Sequence, residues 1–152
     1  MRNVHIEFIE KRVALFTETT DKELEPYFSN HKVPVLLDYD FIIWDSLSIM
    51  EYLAKKLPDS KAWPKDIQAR PLSAEMHSSF GNLRNELPMN YRKTFADFLV
   101  SQEVQEDIDR VCVVWRACHK RYGNNGDWLC GDIGIVDAMY PPIALRFSGK
   151  ER

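Results

Sequence analysis

Lys32-Val33-Pro34-Val35-Leu36, followed eight residues on by Trp44-Asp45-Ser46, is the stretch that decides the fold. The first segment reads as an X-Pro bond entering a short apolar strand. The second reads as a polar pair at the mouth of a helix, because Asp and Ser are favoured where a helix starts. Between them, Val35-Leu36-Leu37 is one strand, Asp38-Tyr39-Asp40 a turn, and Phe41-Ile42-Ile43-Trp44 the returning strand. That pattern is a hairpin. Leu47, Met50, Leu53, Ala54 and Leu57 then follow at helical spacing, and Pro58-Asp59 end the helix. Backbone groups beside a proline, with an acceptor, a hydroxyl and helix N–H groups close by, suit an extended peptide-like anion. Read alone, the same residues serve equally well as a turn and a helix cap.

Upstream, Glu7 to Ala14 reads as a strand. A short helix starts at Thr20 or Asp21 and runs to Tyr27 or Phe28, with acidic residues in its first turn as the helix dipole favours. Leu57 to Asp66 contains Pro58, Ser60 and Pro64 and marks a change of character. Everything after it is helical in pattern. Leu72, Met76, Phe80, Leu83 and Leu87 form one stripe, read as one helix with Pro71 in its first turn and Pro88 as its stop. Val104, Ile108, Val111, Trp115, Cys118 and Tyr122 mark a second helix, ended by Gly123-Asn124-Asn125-Gly126. Gly134 opens a third, with Asp137 at its third position and Ile133 and Ala138 at staple positions.

The 152 residues suit one ordinary domain or two small ones, and an apolar content of 45% indicates globular material. Net charge is −3, with no basic cluster longer than Lys55-Lys56, so nucleic acid is not expected as a partner. No apolar run approaches the roughly 20 residues that a membrane helix needs. The first seven residues lack the apolar core of a signal peptide, and the expectation is a cytoplasmic protein with no membrane partner. Cys112, Cys118 and Cys130 show no Cys-x-x-Cys spacing, and no pattern links His5, His31, His77 and His119, so no disulfide framework and no metal site is expected.

In order along the chain, Lys32-Val33-Pro34-Val35-Leu36, Trp44-Asp45-Ser46-Leu47-Ser48-Ile49, Glu51-Tyr52-Leu53-Ala54, Trp63-Pro64, Ala74-Glu75-Met76-His77 with Arg84-Asn85-Glu86-Leu87-Pro88-Met89-Asn90, and Gly131-Asp132-Ile133-Gly134-Ile135-Val136-Asp137-Ala138-Met139-Tyr140 resemble a glutathione S-transferase of the kind common in proteobacteria. The resemblance covers nearly the whole chain. It implies an α/β thioredoxin-like N-terminal part at 1–58, a linker at 59–66 and an all-helical C-terminal domain at 67–152. Pro34 resembles the family's cis-proline. Val33 would offer its main chain to the cysteinyl part of glutathione, Lys32 would reach the glycine end, and Asp45 with Ser46 would hold the γ-glutamyl amine and carboxylate. Glutathione is then a co-substrate, no metal is needed, and the partners are an electrophilic small molecule and a second copy in a homodimer. Tyr91, Phe95, Trp115 and Tyr140 stand either as walls of the electrophile pocket or as core.

Against the family pattern, the chain reads as truncated at its N-terminus, with the first strand and helix missing, and short at its C-terminus. No Ser, Tyr or Cys precedes Thr17, so no catalytic residue is assigned. Three functions follow from the resemblance: a glutathione-conjugating enzyme in complete form, a non-catalytic glutathione-binding or dimerisation module, and an inactive gene remnant.

Overall fold

A computed structural model describes residues 6–65, 68–87, 89, 99–122 and 126–148. The chain divides into two compact units, Met1–Ser60 and Lys61–Arg152.

The first unit is built on the hairpin. Strands β1 (Val35–Asp38) and β2 (Phe41–Trp44) pair antiparallel, with Val35 opposite Trp44 and Asp38 opposite Phe41. Tyr39 turns the chain with φ 51°. Ahead of the sheet lie helix α1 (Thr20–Leu24) and a 3-10 turn over Glu25–Tyr27; helix α2 (Ser46–Lys56) follows it. Leu24 and Ile49 are the buried apolar side chains here. One polar cluster fastens hairpin to helix. The Asp38 carboxylate, at the end of β1, accepts a 2.5 Å bond from the Tyr52 hydroxyl and another from Lys56 Nζ, both on α2. Lys56 also stands over the rings of Tyr39 and Tyr52 at 5.9 and 5.8 Å. The hydrogen bonds from Lys56 and then Tyr52 hold the Asp38 carboxyl below its ordinary range, and Asp38 in turn raises both partners.

The expected strand over Glu7–Ala14 is not formed. Those residues carry no regular structure, and of the segment only Val13 is half-buried. A strand exists only where another backbone completes its ladder. Among the described residues β1 and β2 are the only strands that pair.

The second unit is helical: α3 (Ala69–Ser78), α4 (Gly81–Glu86), α5 (Gln102–Tyr122), α6 (Ile135–Met139) and α7 (Pro141–Ser148). The stripe from Leu72 to Leu87, read as one helix, is two. Phe80 adopts a left-handed conformation (φ 64°, ψ 40°) and breaks the ladder. In a continuous helix the Leu83 N–H would bond the Ser79 carbonyl. Here it donates to Asp107 Oδ2 on α5 at 3.0 Å. The carbonyls left open at the end of α3 are covered by Arg84, which donates to Ser79 O at 3.1 Å and to Met76 O at 2.5 Å. A left-handed non-glycine residue costs about 1–2 kcal/mol. Burying the Phe80 ring returns about 1.5–3 kcal/mol. The stripe stays in the core: Met76, Phe80, Leu83 and Leu87 are all buried against a core that includes Val104, Val111, Val136 and Ile143.

Helix α5 is tied to its neighbours at its start and midway. Ser101 Oγ accepts from Val104 N at 3.3 Å, and the Glu86 carboxylate accepts from Ser101 N at 2.9 Å, an anion placed where the helix dipole favours one. Midway, Arg110 grips Glu75 of α3 through two bonds of 2.6 and 2.8 Å. The helix opened by Gly134 is short and ends at Met139. Pro141 restarts the chain as α7, since proline supplies no N–H to continue the ladder.

The start of α6 depends on Asp137. Its two carboxylate oxygens accept from Leu129 N at 2.8 Å and Gly134 N at 2.9 Å. Gly134 is more than a tolerable cap. The Ala62 carbonyl accepts from Ile135 N at 2.9 Å, and a Cβ on Gly134 would come within 2.9 Å of that same oxygen.

Three outcomes are expected. Leu83→Ala, at a fully buried site, lowers unfolding free energy by about 2–5 kcal/mol in a urea titration. Asp137→Ala strands two N–H groups and costs about 1–3 kcal/mol in the same titration. The third concerns pH. Because the folded-state pKa of Asp38 is depressed, its contribution is present above the unfolded carboxylate value of 3.8 and disappears as pH falls through the lower folded value. A series of melts from neutral to acid pH should therefore show a shallower acid decline for Asp38→Asn than for the parent chain.

Candidate functional site

The hairpin register determines what meets what. Val35 is paired with Trp44, so the residues just outside this last rung, Val33-Pro34 on one side and Asp45-Ser46 on the other, leave the same end of the ladder. Two segments separated by ten residues of sequence are thereby brought to one edge.

The approach to β1 is tightly turned. Phe28, Asn30 and His31 all have left-handed φ values of 52°, 52° and 56°. Lys32 N donates to Ser29 O at 3.1 Å, and His31 Nδ1 lies 2.9 Å from Asp21 Oδ1 of α1, tying the loop to the helix before it. The Val33–Pro34 peptide bond is cis. Lys32, Val33 and Pro34 are exposed.

On the other side, Asp45 is the N-cap of α2. Its Oδ1 accepts from Leu47 N at 2.9 Å and Ser48 N at 3.2 Å, so it satisfies two of the helix's orphan donors. Asp45 sits at φ 73°, ψ 128°, a region that favours glycine. Ser46 is the first helical residue and is half-buried. The five residues singled out in the sequence thus lie at one end of the hairpin, with one qualification. The Asp45 carboxylate, expected as a ligand contact, already serves as a helix cap.

Of the expected wall residues, Tyr91 and Phe95 lie outside the described residues. Trp115 and Tyr140 meet edge-on, with centroids 6.0 Å apart, and Trp115 also meets Phe147 at 6.1 Å. Tyr140 is buried, its hydroxyl is 3.4 Å from Leu72 O, and burial, reinforced by the Glu75 charge, raises its pKa. Tyr140 is buried and Trp115 half-buried, and both also line a groove of about 470 Å³. One grouping was not legible in the sequence: the Asp38–Tyr52–Lys56 cluster, in which Tyr52 and Lys56 lie 14 and 18 residues from Asp38. Among the described residues no group of three or more His, Cys, Asp or Glu side chains could hold a metal ion, and no helix is long and apolar enough to cross a membrane.

Residues 4–56 match the family of glutathione S-transferase N-terminal domains. Over these residues the chain is similar to a glutathione S-transferase N-terminal domain. It is 38% identical over 125 residues to glutathione S-transferase 1 of Dianthus caryophyllus, covering 77% of this chain and 55% of that protein. It is 33% identical over 110 residues to glutathione S-transferase D7 of Drosophila melanogaster, covering 68% and 48%. With glutathione S-transferase theta-2 of Mus musculus it shares 27% identity over 134 residues, covering 78% and 54%. The chain spans about half the length of these three relatives. Its fold is that of a thioredoxin-like glutathione S-transferase N-terminal domain with a small antiparallel sheet, followed by a mostly helical remainder.

The cap geometry makes a separable prediction. Asp45→Ala loses the carboxylate and keeps a Cβ at positive φ. Asp45→Gly loses the carboxylate but fits that φ. In a thermal or urea titration the alanine variant should lose about 1–2 kcal/mol, and the glycine variant only a few tenths.

Proposed function

We propose that the edge formed by Lys32, Val33, Pro34, Asp45 and Ser46 holds glutathione, and that the whole protein conjugates its thiol to an electrophilic small molecule. The observation that carries the reading is the rung Val35–Trp44, which puts an open main-chain segment beside a helix N-terminus. Each part of the tripeptide has a counterpart there. The extended cysteinyl unit pairs with the Val33 main chain, as a peptide adds to a sheet edge. The γ-glutamyl carboxylate lies at the start of α2, where the Ser46 hydroxyl and the helix dipole favour an anion. The Asp45 carboxylate, one oxygen of which caps α2, faces the γ-glutamyl ammonium with its negative charge. Lys32, exposed on the approach loop, meets the glycine carboxylate.

Conjugation needs the sulfur as thiolate, and a positioned hydroxyl or thiol donor lowers a thiol pKa by stabilising that anion. No residue of this chain is assigned that role. Binding and turnover are therefore measured separately. A second copy of the chain, meeting it near α2 and α3, belongs to the same proposal.

Calorimetry with glutathione tests the binding half. The parent chain should bind, and Ser46→Ala should weaken binding about 10- to 100-fold, the effect of one hydrogen bond to a charged group. Ser46 makes no cap bond, so the variant should keep its melting temperature. No heat from the parent chain, or equal affinity in the variant, would overturn the assignment. Turnover of a chlorodinitrobenzene-type electrophile separates an enzyme from a binding module.

A further inference from the structure

The second unit carries a groove of about 470 Å³ that the glutathione edge does not use. Its described lining residues run from Trp115 to Leu145, all within that unit. The volume suits a small molecule. Helix α5 supplies Trp115 and His119, the turn ahead of α6 supplies Asp127 and Trp128, and α6 with its C-cap supplies Asp137 and Tyr140. The rings of Trp115 and Tyr140 stand at 70° to one another, and Trp128 is 47% exposed.

The turn that presents Asp127 and Trp128 is held from several directions. Trp128 N donates to Gly131 O at 3.2 Å, and Gly131 N donates back to Trp128 O at 3.1 Å. Leu129 N donates to the Asp137 carboxylate at 2.8 Å. The backbone closes so tightly at Gly126 (φ 149°) that a Cβ there would come within 2.4 Å of the Gly131 oxygen. A wall braced in this way has little order to gain when a ligand arrives.

Charge decides which ligand fits. Two carboxylates, Asp127 and Asp137, line the groove. His119 is the one titratable nitrogen among its described walls, and neither lysine nor arginine is among them. The two Asp137 oxygens accept from Leu129 N and Gly134 N, which uses about half of a carboxylate's acceptor capacity. Asp127 is exposed. Aromatic faces carry a negative quadrupole that attracts cations, and the two carboxylates act in the same direction. An anion meets repulsion from both.

We propose that this groove binds a small organic cation, an ammonium attached to a flat apolar body. The ammonium lies near Asp127 and Asp137, and the body rests against the tryptophan rings. Glutathione, with two carboxylates and one ammonium, is disfavoured here. The site is therefore independent of the edge proposed in the first unit and stands or falls separately from it.

The test uses the full chain labelled with nitrogen-15 and benzyltrimethylammonium as the probe. The four tryptophans give four indole N–H signals, assigned by substitution. Titration to about 10 mM should shift the Trp115 and Trp128 signals saturably and leave that of Trp44 in place. Benzyl alcohol, a neutral counterpart, should bind at least about fivefold more weakly, and phenylacetate should not bind. Asp127→Asn should weaken the cation about two- to fivefold, and Trp128→Leu, followed at the Trp115 signal, by a similar factor. Both side chains are exposed, so both variants should keep the melting temperature of the parent. The comparison of probes on the parent chain depends on no variant. No saturable shift at Trp115 and Trp128, a preference for the cation below fivefold, or undiminished affinity in Asp127→Asn would overturn the proposal.

Discussion

The constraint on which the N-terminal unit rests is the pairing of Val35 with Trp44. Side chains in a strand alternate between faces, so a one-residue slip would exchange every inward and outward position. It would also move Asp45 away from Pro34. The register is fixed at the far end by the two-residue turn at Tyr39-Asp40 and by Asp38, which binds Tyr52 and Lys56. The same cluster joins the sheet to α2, the helix whose first residues stand at the proposed glutathione edge. Sheet register, helix docking and site assembly are therefore one event.

The helical unit relies on a different device, the satisfaction of helix ends by side chains from elsewhere. Asp107 caps α4, Arg84 covers the end of α3, Glu86 and Ser101 open α5, and Asp137 opens α6. Short helices expose a large share of unpaired backbone groups. Five- and six-residue helices such as α6 and α4 exist because their neighbours supply those partners. Arg146 continues the pattern by donating to Leu87 O at the end of α4, where burial and then the Arg84 charge lower its own pKa.

Local signals in the sequence were enough for the hairpin, α2 and the cap at Asp45. Turn residues, an apolar alternation and a helix start fall within a few positions of one another there. The same local logic failed at Phe80. The stripe from Leu72 to Leu87 keeps perfect helical spacing, but the break depends on Asp107 and Arg84, one of them 24 residues away from the N–H it accepts. It failed again over Glu7–Ala14, where composition favours a strand but a ladder depends on a second backbone. The proposed glutathione residues were singled out through their order along the chain rather than through any single motif.

The central claim is that an edge built by hairpin register reads glutathione along its length. Competition calorimetry between glutathione and cysteinylglycine, which lacks the γ-glutamyl group, tests this most directly. The account predicts that removing the γ-glutamyl group costs at least tenfold in affinity, because Ser46 and the start of α2 lose their partner. Equal binding of the two ligands would contradict it.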